Sequence, residues 1–198
     1  SADTIATAQA SANQVEMPAM TPNLANGAAI FAARCTQCHG ENGNGQGELV
    51  LAGQIPEMAS FLEPATMREQ TPADYFNVIT NGRIENLMPP WRDALSVQER
   101  WDVALYSYTL HYGSDAMNED AAAWEQIDAN PANVFSDNPL ETSDSALYAR
   151  LQAVSSGLDD DALWQAVAYA RLQALDTNSS TAAAQAGPDA EATEAPLP

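Results

Sequence analysis

Cys35-Thr36-Gln37-Cys38-His39-Gly40 holds both cysteines of this chain and one of its two histidines. On the first turns of a helix, Cys35 and His39 are an i, i+4 pair and Cys38 lies i+3 from Cys35, so two thiols and an imidazole present to one side of a flat ligand. With this spacing two cysteines can add to the vinyl groups of a porphyrin while the next histidine comes up beneath its iron, the attachment signal of c-type haem. Other chemistries use the same residues. A redox dithiol sits at a strand-to-helix junction, and no βαβ pattern flanks Arg34 to Gly40. A structural zinc ion wants four closed N or S ligands, and only the distant His111 is left to complete such a set. A simple disulfide between Cys35 and Cys38 stays open.

The opposite face of an iron held in this way needs a second ligand. Six methionines are available: Met17, Met20, Met58, Met67, Met88 and Met117. A methionine's ordinary task is to fill gaps in an apolar core. Met88 differs because Gly82, Pro89 and Pro90 bar regular helix around it and fix an extended loop. Such a loop can push one thioether sulfur onto a flat ligand from the side opposite His39. Met88 is the expected ligand, with Met58 and Met67 as alternatives.

Residues 24–113 resemble a class I mono-haem c-type cytochrome throughout. Gly27-x-x-x-Phe31 precedes the attachment site as the family's first helix does, and Glu41 to Gly47 is similar to its glycine-rich loop. Thr71 to Gly82 resembles the helix leading into the methionine loop. Met88-Pro89-Pro90-Trp91 resembles the axial-ligand segment, and Leu95 to Leu110 the closing helix with Trp101 and Tyr106. The resemblance implies one covalently attached haem c, with Cys35 and Cys38 as thioether donors and His39 and Met88 as axial ligands. It also implies a contact of Gly27 with Tyr106 where the closing helix crosses the first. Arg83 and Trp91, flanking the Met88 loop, are candidates to meet the haem propionates, or else are ordinary surface and packing residues.

The helices are legible without the family. Ala25 to Cys35 carries Ile30, Phe31 and Arg34 at helical spacing, with Pro22 suiting its start. Tyr75, Phe76 and Ile79 form a stripe over Ala73 to Ile79. Ser96 with Glu99 three residues on is a capping-box pattern ahead of Trp101, Val103, Ala104 and Leu105. No run alternates with period two, so the expected fold is all-α, with short helices and long loops wrapped around one haem.

Beyond Tyr112 the composition changes. Residues 1–23 hold two acids and no base, residues 24–113 ten acids and five arginines, and residues 114–198 fifteen acids and two arginines, within a net charge of −20. Residues 114–178 are read as an acidic helical extension, with helices over Ala146 to Ala153 and Asp160 to Leu175, a shorter one over Ala121 to Ile127, and loop over Asp128 to Asp144. Leu95-x5-Trp101-x4-Tyr106 recurs as Leu158-x5-Trp164-x4-Tyr169, and Ile79-x-x-Gly82 as Val154-x-x-Gly157. A degenerate, haem-less second module explains this echo, and so does a common core stripe. Residues 1–23 and 179–198, rich in Ala, Ser, Thr, Pro and Glu, are expected to be flexible.

No stretch approaches the length of continuous apolar sequence that a membrane span needs. The absence of an initiating Met and of a basic-then-apolar leader fits an export signal already removed, and the resemblance implies a periplasmic or other extracytoplasmic site. The negative charge argues against nucleic acid and favours a redox partner with a basic docking surface. No acid/base pair, activated nucleophile or phosphate-cradling loop is present, so the expected role is single-electron transfer and not catalysis. Two alternatives stand beside it. One is an electron-transfer subunit of a larger membrane or oxidoreductase complex, with residues 114–198 as docking arm. The other is a haem enzyme or gas sensor with an open coordination site.

Overall fold

A computed structural model describes residues 15–113, 122–127, 134–135, 138–155 and 157–185, all helix, turn and loop without a strand among them. The first helix, α1 (Leu24–Arg34), starts where the Asn23 side chain accepts the Asn26 N–H at 2.9 Å, so Asn23 and not Pro22 sets its beginning. Cys35 then breaks the axis, and a single turn, α2 (Thr36–His39), ends at Gly40. Two more single turns follow, α3 (Glu48–Leu51) and α4 (Pro64–Met67).

Two capping boxes start the longer helices. Thr71 and Asp74 begin α5 (Pro72–Asn81), and Ser96 and Glu99 begin α6 (Val97–Thr109). A short 3₁₀ turn, Leu110–Tyr112, carries α6 onward. Helix α1 packs chiefly across α6, and α5 lies against α6 as well. At the α1–α6 crossing a Cβ on Gly27 would stand 2.1 Å from the Asp102 carbonyl oxygen and 2.8 Å from Tyr106 Cβ, so only glycine lets the two backbones meet. Buried Asp102 then holds the start of α1, accepting the Asn23 N–H at 2.8 Å and the Asn26 amide at 2.7 Å. The core between these helices contains Phe31, Phe76, Ile79, Trp101 and Leu105, with Phe76 and Trp101 stacked at 4.4 Å.

The N-terminal segment departs from expectation. Residues 15–20 lie across the beginning of α6: the Glu16 carbonyl accepts the Trp101 indole N–H at 2.6 Å, and the Glu16 carboxylate sits 3.4 Å from Arg100. A fully buried indole must find an acceptor, and no side chain of α5 or α6 supplies one, so main chain from this segment does. Residues 1–14 of the expected flexible stretch lie outside the described residues.

The C-terminal part contains 3₁₀ turns at Trp124–Gln126 and Pro139–Glu141, then α7 (Asp144–Val154) and α8 (Asp160–Gln185). Within the expected helix over Ala121 to Ile127, of which residue 121 lies outside the described residues, Trp124–Gln126 is one tight turn, and α8 runs past residue 178, where the sequence placed the start of a tail. Residues 128–133 and 136–137 of the expected loop lie outside the described residues. Trp124, Leu147, Leu151, Leu163 and Val167 form a second small core.

The two cores are joined by buried charge. Arg171, 1 % exposed, donates through Nε and Nη2 to Asp144 Oδ1 at 2.8 and 2.6 Å and through Nη2 to the Thr142 carbonyl at 2.7 Å. His111 Nε2 meets the other carboxylate oxygen of Asp144 at 3.1 Å. The turn after α4 adds to the joint: Ser145 donates its N–H to the Arg68 carbonyl at 3.0 Å and its hydroxyl to Glu69 at 2.6 Å, and Arg68 lies 3.6 Å over the Trp164 ring. The extension is folded back on the first unit.

The Trp101–Trp164 match of the sequence echo keeps its register in the structure, and its upstream part shifts. Counting from the caps, Phe76 and Trp101 stand five residues after Thr71 and Ser96, and Tyr148 and Trp164 stand five after Ser143 and Asp159. Both pairs stack, at 4.4 and 4.3 Å. In this register Ile79 matches Leu151, both buried, and not Val154, which is exposed. No counterpart of the Cys35–His39 turn or of the Met88 loop accompanies the second pair.

Candidate haem-binding site

Cys35, Cys38 and His39 occupy one turn. The amides of Cys38 and His39 both donate to the Cys35 carbonyl, at 3.2 and 2.9 Å, which holds the three residues on one turn at the end of α1, with Cys35 packed on the core. Both cysteines are free thiols and half-buried. Burial, with Cys38 beside it, pushes the Cys35 thiol up to about 12. A redox dithiol needs the opposite shift, because its reactive form is the thiolate. Nor do the residues suit zinc: among the described residues no three His, Cys, Asp or Glu side chains converge as metal ligands would, and His111 is committed to Asp144.

Burial also lowers the basicity of His39, favouring the neutral imidazole that a metal accepts. Its Nδ1 is buried and has no hydrogen-bond partner among the described residues. The Phe61 ring lies on the imidazole with centroids 4.8 Å apart and planes 23° from parallel, and Phe31 stands on another side at 6.5 Å. Phe61 escaped sequence reading because it stands in loop, outside any helical stripe. Only the glycine-rich turn that folds over it brings it to His39.

The Met88 loop is tighter than the extended loop its prolines suggest. Arg83 and Met88 exchange backbone hydrogen bonds at 2.9 and 3.0 Å around a 3₁₀ turn, Ile84–Asn86. Leu87 takes a left-handed φ of 62° to close that turn, a conformation costing about 1–3 kcal/mol that surrounding structure must hold, immediately before the sulfur. Met88 is half-buried and packs on the same core as Cys35. Met67 is buried and its sulfur accepts the Tyr75 hydroxyl, so it is already engaged. Met58 is half-buried in the loop before Phe61. Trp91 donates its backbone N–H to the Ile79 carbonyl at 3.0 Å and its side chain packs on the core, while the Arg83 side chain is exposed.

Two thiols and a neutral imidazole on one helical turn, with a thioether loop packed on the same core, are the donor set of a c-type cytochrome, and residues 22–106 are a segment of that class. Over those residues the chain matches the family model of the cytochrome C oxidase, cbb3-type, subunit III. It is also similar to the cbb3-type cytochrome c oxidase subunit FixP of Azorhizobium caulinodans, 35% identical over 96 residues. That match covers 48% of this chain and 30% of the relative, so the chain spans about a third of the relative's length. The prosthetic group of this class is haem c, bound covalently, and the residues present fit it: neither cysteine is in a disulfide, and burial favours the neutral form of the His39 imidazole.

Proposed function

We propose that this chain is a single-electron carrier in which Cys35 and Cys38 hold haem c by thioether bonds and His39 and Met88 are its axial ligands. Haem c supplies, when bound, a reversible one-electron couple. The protein's part is to keep ligand geometry constant between the two states, so that little reorganises when the charge changes by one. The helical turn fixes His39, and the Arg83–Met88 closure fixes the sulfur. A thioether and an apolar wall of Phe31, Phe61 and Leu110 disfavour extra positive charge and so favour the reduced form. Arg83 and Trp91 flank the ligand loop as candidate partners of the propionates. The observation that carries the reading is that Cys35 and Met88, far apart in sequence, pack on the same core.

We assign the chain single-electron transfer, the chemistry that the one-electron couple of haem c supplies. The similarity to an oxidase subunit favours one setting: a membrane-bound respiratory complex on the extracytoplasmic side, with a redox partner presenting a basic docking surface to this acidic chain. Among the described residues no helix is long and apolar enough to cross a membrane. Asp144, Ser145, Trp164 and Arg171 bear on the first unit, and residues 114–198 are the candidate docking arm of such a complex. The test of the ligand set is the ferric absorption spectrum. A weak far-red methionine-to-iron band is expected, lost in Met88→Ala and kept in Met58→Ala and Met67→Ala. Loss in either of the latter instead would move the assignment, and a high-spin spectrum with rapid carbon monoxide binding would replace the carrier by a haem enzyme or sensor.

A further inference from the structure

A histidine that binds a metal through one nitrogen nearly always donates the other N–H to a carbonyl or carboxylate, and that bond fixes the plane of its ring. His39 departs from this. Its Nδ1 is buried and meets no acceptor among the described residues. What lies against the ring is Phe61, face to face at 4.8 Å and 23°.

Phe61 is itself clamped. Its N–H donates to the Gly43 carbonyl at 2.8 Å, its ring meets Phe31 edge-on at 6.4 Å, and Tyr75 closes another side at 5.7 Å. Gly43 has φ +77°, and a Cβ there would stand 2.6 Å from Leu110 Cδ1 and 3.1 Å from Phe61 Cδ2. The turn therefore passes close over the phenyl ring, which is held between it, Phe31 and Tyr75.

We infer that Phe61 is a positioning residue for the axial imidazole, setting by ring stacking the plane that a hydrogen bond from Nδ1 sets elsewhere. The inference rests on the reading of His39 as the haem's ligand. The imidazole plane decides which iron d orbital the ligand overlaps, so its orientation is written in the anisotropy of the low-spin ferric signal. An N–H with no acceptor also leaves the ligand less electron-rich, so the reduction potential responds to whatever partner the ring gains when the stack is lost.

The experiment compares the haem-loaded wild-type protein with Phe61→Leu and Phe61→Tyr, by electron paramagnetic resonance of the ferric form and by reduction potential. Phe61→Leu is expected to shift or broaden the low-spin g-values and to move the potential, while the far-red methionine band stays. Phe61→Tyr, which keeps a flat face, is expected to restore wild-type values. Thermal stability falls in Phe61→Leu whether or not the residue positions His39, so it is not the readout. If Phe61→Leu does not accumulate with haem, Phe61→Met, which keeps side-chain volume without a flat face, takes its place with the same expectation. Wild-type g-values and potential in a variant lacking the ring would overturn the inference. A wild-type protein without a low-spin haem signal would instead overturn the ligand reading beneath it.

Discussion

Gly27 shows how much one residue decides. The crossing of α1 and α6 brings the Asp102 carbonyl to where a Cβ would be, and that oxygen belongs to helical main chain that cannot give way. Gly27→Ala must therefore spread the two helices, at about 1–3 kcal/mol for an overpacked contact and beyond that where backbone has to shift. A chemical denaturation curve checks this, with the midpoint expected to fall and the slope to hold. At the same scale Cys35, Cys38, His39 and Met88 are candidates that the sequence itself proposes, because their chemistry is local: a thiol spacing in one case, a proline-flanked loop in the other. Phe61 and Asp144 carried no such mark. Their roles come from partners far along the chain, the imidazole of His39 and the guanidinium of Arg171.

The helices that position the site begin at side chains that the sequence announces. Ser96 and Glu99 close a reciprocal cap on α6: Glu99 accepts the Ser96 N–H at 2.8 Å, and Ser96 Oγ accepts the Glu99 N–H at 3.2 Å. Removing it in Ser96→Ala is expected to cost about 1 kcal/mol, and Thr71→Ala a similar amount at α5, both read from thermal or denaturant midpoints. The cap is also pH-dependent. The Ser96 backbone N–H and then its hydroxyl hold the Glu99 carboxyl below its ordinary value of 4.5. A depressed carboxylate contributes stability that is complete above its unfolded-state value and is lost as pH falls through the folded one. Acidification below about pH 4.5 is thus expected to weaken wild-type α6, and a Glu99→Gln variant to show a flatter acid limb. These elements were legible because caps, prolines and apolar stripes act within a few residues. The 3₁₀ turn at Trp124–Gln126 was read as helix because Trp124 and Ile127 stand three apart in either form. In the echo the match of Trp101 with Trp164 holds when counted from the caps, whereas the upstream Ile79 matches buried Leu151 and not exposed Val154.

For the whole molecule, the decisive feature is the joint that holds α7 and α8 to the end of α6. Burial alone would raise the Asp144 carboxyl. The Arg171 guanidinium and His111 outweigh it and hold the group below its usual range, so it is charged in the folded state. Asp144→Ala strands a guanidinium that is 1 % exposed, and breaking a buried pair in this way costs about 3–5 kcal/mol. Replacing His111, Asp144 and Arg171 together by apolar residues of similar size is expected to be milder than the single change, because no charge is left buried without a partner. Denaturant unfolding of the two variants checks the order. By the same sign as for Glu99, Asp144 contributes stability present above its unfolded value and lost in acid, so the joint is expected to open at low pH. Loss of the Trp164–Arg68 contact would report this as a change in tryptophan fluorescence. None of this was visible beforehand, since Asp144 reads as one acid among fifteen in residues 114–198 and its partners lie 27 and 33 residues away.

The carrier account as a whole rests on a porphyrin bonded to Cys35 and Cys38. Its most direct test is the intact mass of the protein, matured where c-type haem is attached and denatured in acid so that only bonded groups remain. The account predicts one species heavier than the polypeptide by a single haem. A mass equal to the polypeptide alone would contradict it.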